Sequence, residues 1–281
     1  MHRPAFDRSA LPYWEARSRH WRVSTPISPL PEDIHFYEAN AARDAGEAAG
    51  SSALLLGVTP AIATMRWPAG TRLVALDWAE GMLRNVLPHA SVESTAHALR
   101  GDWREMPLAE GSFDFVVGDG CYSTFPTFEG PAQLNREVAR VLRRGGRFCL
   151  RCHRRPDAAI PIEQLFGRLL AGEFRDLDMF RWQLAMAVHG DSRDGVRLGD
   201  VWNVWRSHVP DPARIRDRLG WTDSALANME GWKGSRSRYL FPTLDELRAL
   251  VHADFDLEDC DIPDYEWGEN FPRLTLSSRK A

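Results

Sequence analysis

Five short apolar runs in this chain end on residues able to bind or react. The run from Ala53 to Leu56 leads into Gly57, Val58, Thr59 and Pro60. The run from Arg72 ends on Asp77, with Trp78 next. A weaker run from Thr95 to Arg100 leads to Gly101, Asp102 and Trp103. Phe113 to Val117 leads to Gly118, Asp119, Gly120, Cys121 and Tyr122, and Arg147 to Cys152 leads to His153. In an open α/β sheet, ligands bind beyond the carboxyl ends of the strands. These residues are therefore the candidate site. An acid closing the second strand can accept hydrogen bonds from both hydroxyls of a ribose. Asp77 suits that role, and the plain alternative is a surface carboxylate near a helix start. Asp102 can accept from an adenine amino group, with Trp103 or Trp78 beside the ring. Gly-Asp is also ordinary turn chemistry, but the two acids in this order support each other.

The loop after the first strand narrows the ligand. A dinucleotide site needs Gly-x-Gly-x-x-Gly so that backbone can approach a pyrophosphate. Here Gly57 stands alone, and Thr59, Pro60 and Ile62 fill the later positions. That argues against NAD and FAD. S-adenosylmethionine carries adenosine without phosphate and tolerates a looser loop. Thr59 suits a helix N-cap and Pro60 the first helical position. A helix starting there would favour the carboxylate of a methionine moiety. The alternative is a capped helix that touches no ligand.

The elements that must hold these residues follow from pattern. The continuous apolar runs have the character of buried parallel strands. Pro60 to Met65 reads as a short helical turn. Ala79 to Leu87 places Met82, Leu83, Val86 and Leu87 on one helix face. Leu134, Val138, Val141 and Leu142 stripe a helix from Pro131 to Arg143, ended by Gly145-Gly146. Alternation through five strands predicts a parallel α/β sheet. Before it, Glu32 to Ala48 reads as a helix. After it, Pro161 to Leu240 breaks the rhythm; it is helical and carries Trp182, Trp202, Trp205, Trp221 and Trp232. Thr243-Leu244-Asp245-Glu246 is a capping box, and Phe255 to Asp261 and Phe271 to Ser277 read as closing strands.

Three stretches resemble the class I S-adenosylmethionine-dependent methyltransferases: ALLLGVTPA (Ala53 to Ala61), LVALDWAEGML (Leu73 to Leu83) and GDWREMPLAEGSFDFVVGD (Gly101 to Asp119). The later REVARVLRRGGRFCL (Arg136 to Leu150) fits the same family's helix and fifth strand. The likeness runs from Ala53 to His153. The third stretch is the most specific. The first departs most, because the family usually has Gly-x-Gly-x-Gly. The resemblance implies a Rossmann-like, doubly wound, mostly parallel seven-stranded sheet, with an N-terminal helical cap and a helical insertion after strand five. The corresponding divisions are 1–50 (cap), 51–160 (cofactor-binding core), 161–240 (insertion, a candidate substrate cover) and 241–281 (closing helix and strands).

It also implies S-adenosylmethionine as cofactor. Gly57, Val58 and Thr59 would sit beside its methionine part, and Asp77 would hold the ribose. Trp78 and Met82 would lie near the adenine, which Gly101, Asp102 and Trp103 would hold and cover. Asp119, Gly120 and Cys121 would line the path to the methyl group. Tyr13, Trp14, Trp21 and Arg22 would cap the cofactor. Candidates for a general base are His153, Tyr122 and, farther off, His189. The acceptor is expected to be a small, partly aromatic molecule, methylated at O or N. The tryptophans of the insertion can pack its ring or form the core of a helical subdomain. A catalytically silent cofactor-binding module is the rival reading, motivated by the degenerate first loop. A nicotinamide oxidoreductase is the third, opposed by the missing glycines.

Composition sets the outer limits. The 281 residues are 44% hydrophobic and 26% charged, which excludes a disordered or fibrous chain. With 35 basic and 39 acidic residues the net charge is -4, a poor footprint for nucleic acid. No apolar run approaches the roughly 20 residues of a membrane span, and Met1-His2-Arg3-Pro4 leads into no secretory h-region. A cytoplasmic protein without a membrane or nucleic-acid partner is expected. The cysteines and histidines show no zinc spacing, so no metal is expected. Cys149 to His153 matches a haem-attachment string, but on a strand residues three apart face opposite sides.

Overall fold

The computed structural model describes residues 11–19, 23–44, 50–87 and 96–279. The N-terminal part holds α1 (Leu11–Ser18) and α2 (Pro31–Asp44). Then come β1 (Ser52–Leu56), α3 (Pro60–Ala63), β2 (Arg72–Asp77), α4 (Glu80–Asn85) and β3 (His97–Arg100). β4 (Phe113–Asp119), α5 (Glu129–Val141) and β5 (Leu142–Arg151) complete the parallel part. The insertion holds α6 (Ile162–Leu170), α7 (Leu177–His189), β6 (Val196–Arg197), α8 (Leu198–His208), α9 (Pro212–Leu219), α10 (Asp223–Glu230) and β7 (Arg238–Tyr239). The chain closes with α11 (Leu244–His252), β8 (Phe255–Asp261) and β9 (Arg273–Ser278).

Seven strands form one sheet in the order β3-β2-β1-β4-β5-β9-β8. β1 to β5 pair in parallel, and β9 runs antiparallel to both β5 and β8. This is the expected Rossmann-like architecture. β1 shows why the apolar runs read as buried strands: all five of its residues are buried. Alternate side chains point to opposite faces, so Leu54 and Leu56 join α5 and α11 while Ala53 and Leu55 join the α2, α3 and α4 side. The sheet order reverses between β1 and β4, and crevices at such switch points take ligands.

The cap helix read as Glu32 to Ala48 begins one residue earlier, and residues 45–49 lie outside the described set. One boundary is corrected. The helix expected to end at Gly145-Gly146 stops at Val141, and β5 starts at once. The glycines fall inside an irregularity where the pairing jumps from Phe113–Leu142 to Phe115–Arg147. The capping box at Thr243 and Glu246 is present with both of its hydrogen bonds.

Two polar devices fix the N-terminal segment to the sheet. Tyr37 on α2 is fully buried; its hydroxyl donates to Gly118 O at 2.8 Å and accepts from Arg151 N at 3.0 Å. Arg151, at the end of β5, is also fully buried. Its guanidinium donates to Asp119 Oδ1 (2.6 Å) and Oδ2 (3.2 Å), to Asp33 Oδ2 (3.1 Å), and to the carbonyls of Pro26 and Ile27 (both 2.6 Å). It also stands 5.1 Å over the Phe271 ring. Asp33 takes further donors from Leu30 N, the Tyr265 hydroxyl and Arg273. A guanidinium taken out of water needs this many acceptors, and losing one partner of such a set typically costs about 3–5 kcal/mol. Arg151→Ala is therefore expected to lower unfolding stability by about that amount. Urea denaturation would show it, and a loss under about 1 kcal/mol would mean the network holds little together.

Candidate functional site

Two cavities open at the carboxyl ends of β1, β2 and β4. The space within the first, its open mouth included, is about 970 Å³. Gly57, Val58, Thr59, Asp77, Trp78, Met82, Gly101, Asp102, Trp103, Asp119 and Trp14 line it, so eleven of the proposed cofactor residues meet here. The second, about 700 Å³ with its open mouth included, takes Gly120 and His153 from the sequence reading. Trp14, Thr59, Asp119 and Thr124 line both, so the cavities adjoin.

Each lining residue has a local cause. Gly57 donates to Leu76 O at 2.8 Å and holds φ at 89°, a turn that only glycine adopts without strain. Asp77 closes β2 and is buried, with Oδ1 accepting from Ala79 N at 2.8 Å. Burial pushes its carboxyl up to about 7, against the pull of the Ala79 and Trp78 backbone amides. The Trp103 indole donates to Leu76 O at 2.6 Å, and its ring lies 3.5 Å from where a Gly57 side chain would begin. The indole thus forms an aromatic wall beside Asp77. Asp102 is less open than expected: Arg104 grips both its oxygens at 3.0 and 2.7 Å, and Arg104 N adds a third bond. α3 begins with Thr59 and Pro60 as anticipated, but the Thr59 hydroxyl makes no capping bond and the helix has four residues. That is too short for a useful dipole.

Three expectations change. Tyr122 lines neither cavity; its hydroxyl donates to Asn135 Oδ1 at 2.6 Å in the core beneath β4, and burial drives its ionisation well above the usual range. It has no route to a substrate proton. Cys121 is buried with its thiol toward Leu56 O, so it supports the loop and does not line the methyl path. His189 lines neither cavity and bonds Gly190 O. Trp21 and Arg22 lie outside the described residues.

His153 does reach the second cavity. It packs so closely on Gly120 that a side chain there would fall 2.5 Å from the ring, and Gly120 also has a positive φ of 63°. Trp182 and Phe271 stand edge-on to the imidazole at 5.5 and 5.3 Å. Burial, then the nearby Arg151 charge, holds the imidazole well below its usual pKa, so it is neutral. The Ser123 hydroxyl spends its one proton on Gly120 O at 2.6 Å and faces His153 Nδ1 at 3.3 Å. That bond favours the ring proton on Nδ1, which leaves Nε2 as an acceptor. Nε2 is buried without a partner among the described residues.

Sequence reasoning missed lining residues of two kinds, neighbours of the motifs it named and residues far along the chain. Arg104, Phe125 and Arg238 join the first cavity; Ser123, Arg181 and Tyr239 join the second, beside the anticipated Trp182. Only the aromatic density of the insertion hinted at them. Among the described residues, no group of three or more His, Cys, Asp or Glu side chains could hold a metal ion. No helix among them is long and apolar enough to cross a membrane.

Residues 54–150 match the family described as a methyltransferase domain. No curated protein matches the chain. A solved structure provisionally described as a zinc-dependent alcohol dehydrogenase from Rhodobacter sphaeroides is 17% identical, covering 98% of this chain and 100% of its own, with a TM-score of 0.63. A chain from the complex of the Haloferax volcanii Trm112 methyltransferase activator with its methyltransferase is 15% identical over 98% of both, with a TM-score of 0.52. The N-methyltransferase NodS from Bradyrhizobium japonicum, solved with S-adenosylhomocysteine, is 11% identical over 98% of this chain and 100% of its own, with a TM-score of 0.51. At these identities the structures speak for the fold alone. The match to a methyltransferase domain over residues 54–150 agrees with the resemblance, read from the sequence, to the class I enzymes that use S-adenosylmethionine.

The residues of the first cavity fit that cofactor, with a buried acid on the second strand, aromatic walls and room for an adenosyl group. Ribose hydroxyls would donate to Asp77, so binding favours its ionised form. With Asp77 titrating at about 7, affinity for S-adenosylhomocysteine should rise between pH 6 and 8, by at most about tenfold per unit. In the free protein the sign is opposite. The raised carboxyl contributes stability fully below its unfolded pKa, and that contribution is lost as pH rises through about 7. Asp77→Asn should flatten both profiles, and Asp77→Ala should weaken binding by about 1–3 kcal/mol. Calorimetric titration across pH checks this; a flat wild-type profile would detach the ribose from Asp77.

Proposed function

We propose that this protein transfers the methyl group of S-adenosylmethionine to an oxygen or nitrogen of a small molecule, and that the second cavity is the acceptor chamber. The observation that carries this reading is the junction of the two cavities. The cavity that holds Asp77 adjoins an aromatic chamber across four shared residues, and a histidine with an unpartnered ring nitrogen lines that chamber. The bound cofactor supplies a methyl group on a positively charged sulfur, which is already an activated leaving group.

The chain's own work is then alignment and exclusion of water. Asp77 takes the ribose, and Trp78 and Trp103 flank the adenine. Trp14 faces both cavities and covers their junction. Asp119 carries no spare charge there, because Arg151 occupies both its oxygens. His153 Nε2 accepts the proton of an acceptor hydroxyl or amine as the nucleophile forms its bond. A depressed pKa makes the imidazole a weak base, suited to a proton that leaves late.

A second reading keeps the cofactor site and drops the chemistry. The single glycine of the first loop and the Asp102 carboxylate already gripped by Arg104 favour it. The deciding experiment follows S-adenosylhomocysteine formation over a panel of phenols, amines and carboxylic acids. Turnover on at least one is expected, with His153→Gln lowering kcat about 10²–10⁴-fold and leaving S-adenosylhomocysteine affinity within about twofold. Binding of S-adenosylhomocysteine without turnover on any acceptor would support the silent module.

A further inference from the structure

The acceptor chamber is asymmetric, and its far end is built for an anion. The charged side chains lining it are Arg17, Arg181 and Asp119. Asp119 is held from behind by Arg151. Arg181 lies on α7, is 2% exposed, and stands 4.5 Å over Trp232 and 6.0 Å from Trp182. Two of its nitrogens are engaged: one donates to Asn228 O at 2.8 Å, the other to Asp178 Oδ1 at 2.7 Å. Its Nε is buried with no acceptor among the described residues, and so is the indole nitrogen of Trp182. Asp178 also takes Ser24 and Asn228, so its charge is shared among several donors. Beside Arg181, the hydroxyls of Tyr13 and Tyr239 meet at 3.2 Å, adding a polar pair on aromatic walls.

Buried donors without acceptors are costly, and a guanidinium face matches a carboxylate better than any neutral group. One carboxylate answers the surplus: it accepts from Arg181 and the tyrosine pair, and its single charge suits a chamber in which Asp178 already offsets part of the positive charge. At the other end, the bare Nε2 of His153 accepts and cannot donate. Both His153 and Arg181 flank the Trp182 indole, so a flat ring beside that indole would span them. We infer that the chamber binds a small aromatic acid, its carboxylate at Arg181 and a hydroxyl or amine at His153. This inference rests on the second cavity being the acceptor site, as proposed above, and adds the charge and polarity of the ligand.

The test is direct binding to the full chain, read by calorimetry and tryptophan fluorescence. Two acid–amide pairs serve as probes: 4-hydroxybenzoate with 4-hydroxybenzamide, and indole-3-carboxylate with indole-3-carboxamide. S-adenosylhomocysteine is titrated beside them. At least one acid is expected to bind about tenfold or more tightly than its amide. Arg181→Met should bring that pair within about twofold. Should that variant fail to fold, Tyr13→Phe with Tyr239→Phe should weaken the acid several-fold more than the amide. Acids and amides binding equally, or neither binding while S-adenosylhomocysteine binds, would overturn the inference and leave the cofactor reading intact. Acid-selective binding without S-adenosylhomocysteine binding would support the inference and sink the cofactor reading. No binding by any ligand would overturn both.

Discussion

The site depends on one buried cation. Arg151 ends β5 in a fully buried position, and each of its guanidinium nitrogens is answered by an acceptor there. Asp119 answers from β4, Asp33 from α2, and the carbonyls of Pro26 and Ile27 from the N-terminal segment. Three separate parts of the chain are thereby held at one point, beside the crevice where the sheet order reverses. Burial pushes the Asp119 carboxyl upward and Arg151 pulls against it. The pair is most stable when both are charged and neither is free to meet a ligand. Arg151 also lowers the pKa of its neighbour His153. Burial first, and that same charge second, keep the imidazole neutral.

From that anchor the two cavities acquire distinct characters. The cofactor side is built from strand ends and short loops of the parallel sheet, where backbone turns and Asp77 set the geometry. The second cavity is built from the loops after β4 and β5 together with α1, the 23–29 segment and the insertion, whose aromatic side chains form a core of their own. Trp205 and Trp232 are fully buried there, while Trp182 is both core and chamber wall. The choice between tryptophans as core and tryptophans as substrate cover therefore has no single answer. Most are packing, and Trp182 turns a face to the cavity.

What could be read in the sequence follows the physics of each element. Strands buried on both faces have apolar runs, and those runs marked β1, β2 and β4. Because a sheet of this order presents its strand ends to one crevice, Asp77 and the Gly57 loop could be placed at that crevice from pattern alone. Asp33 and Arg151 gave no such signal. An acid in the first turn of a helix and an arginine at a strand end look like ordinary solvated residues, and only packing shows them facing each other in the core. Tyr122 and Cys121 were misplaced for a related reason. The turn after Gly120 is a tight 3-10 helix that sends Cys121 and Tyr122 down into the core while Ser123 and Thr124 face the cavities, whereas sequence order alone suggested that Cys121 and Tyr122 follow Asp119 into the cavity. Arg181 was invisible because α7 is buried nearly all round, so no face of it stood out by pattern.

The most direct measurement is a crystal structure of the complex with S-adenosylhomocysteine. The account requires the ribose hydroxyls within hydrogen-bond distance of Asp77, the adenine between Trp78 and Trp103, and the sulfur facing the chamber that contains His153. An adenosine seated away from Asp77, or a sulfur directed away from that chamber, would contradict it.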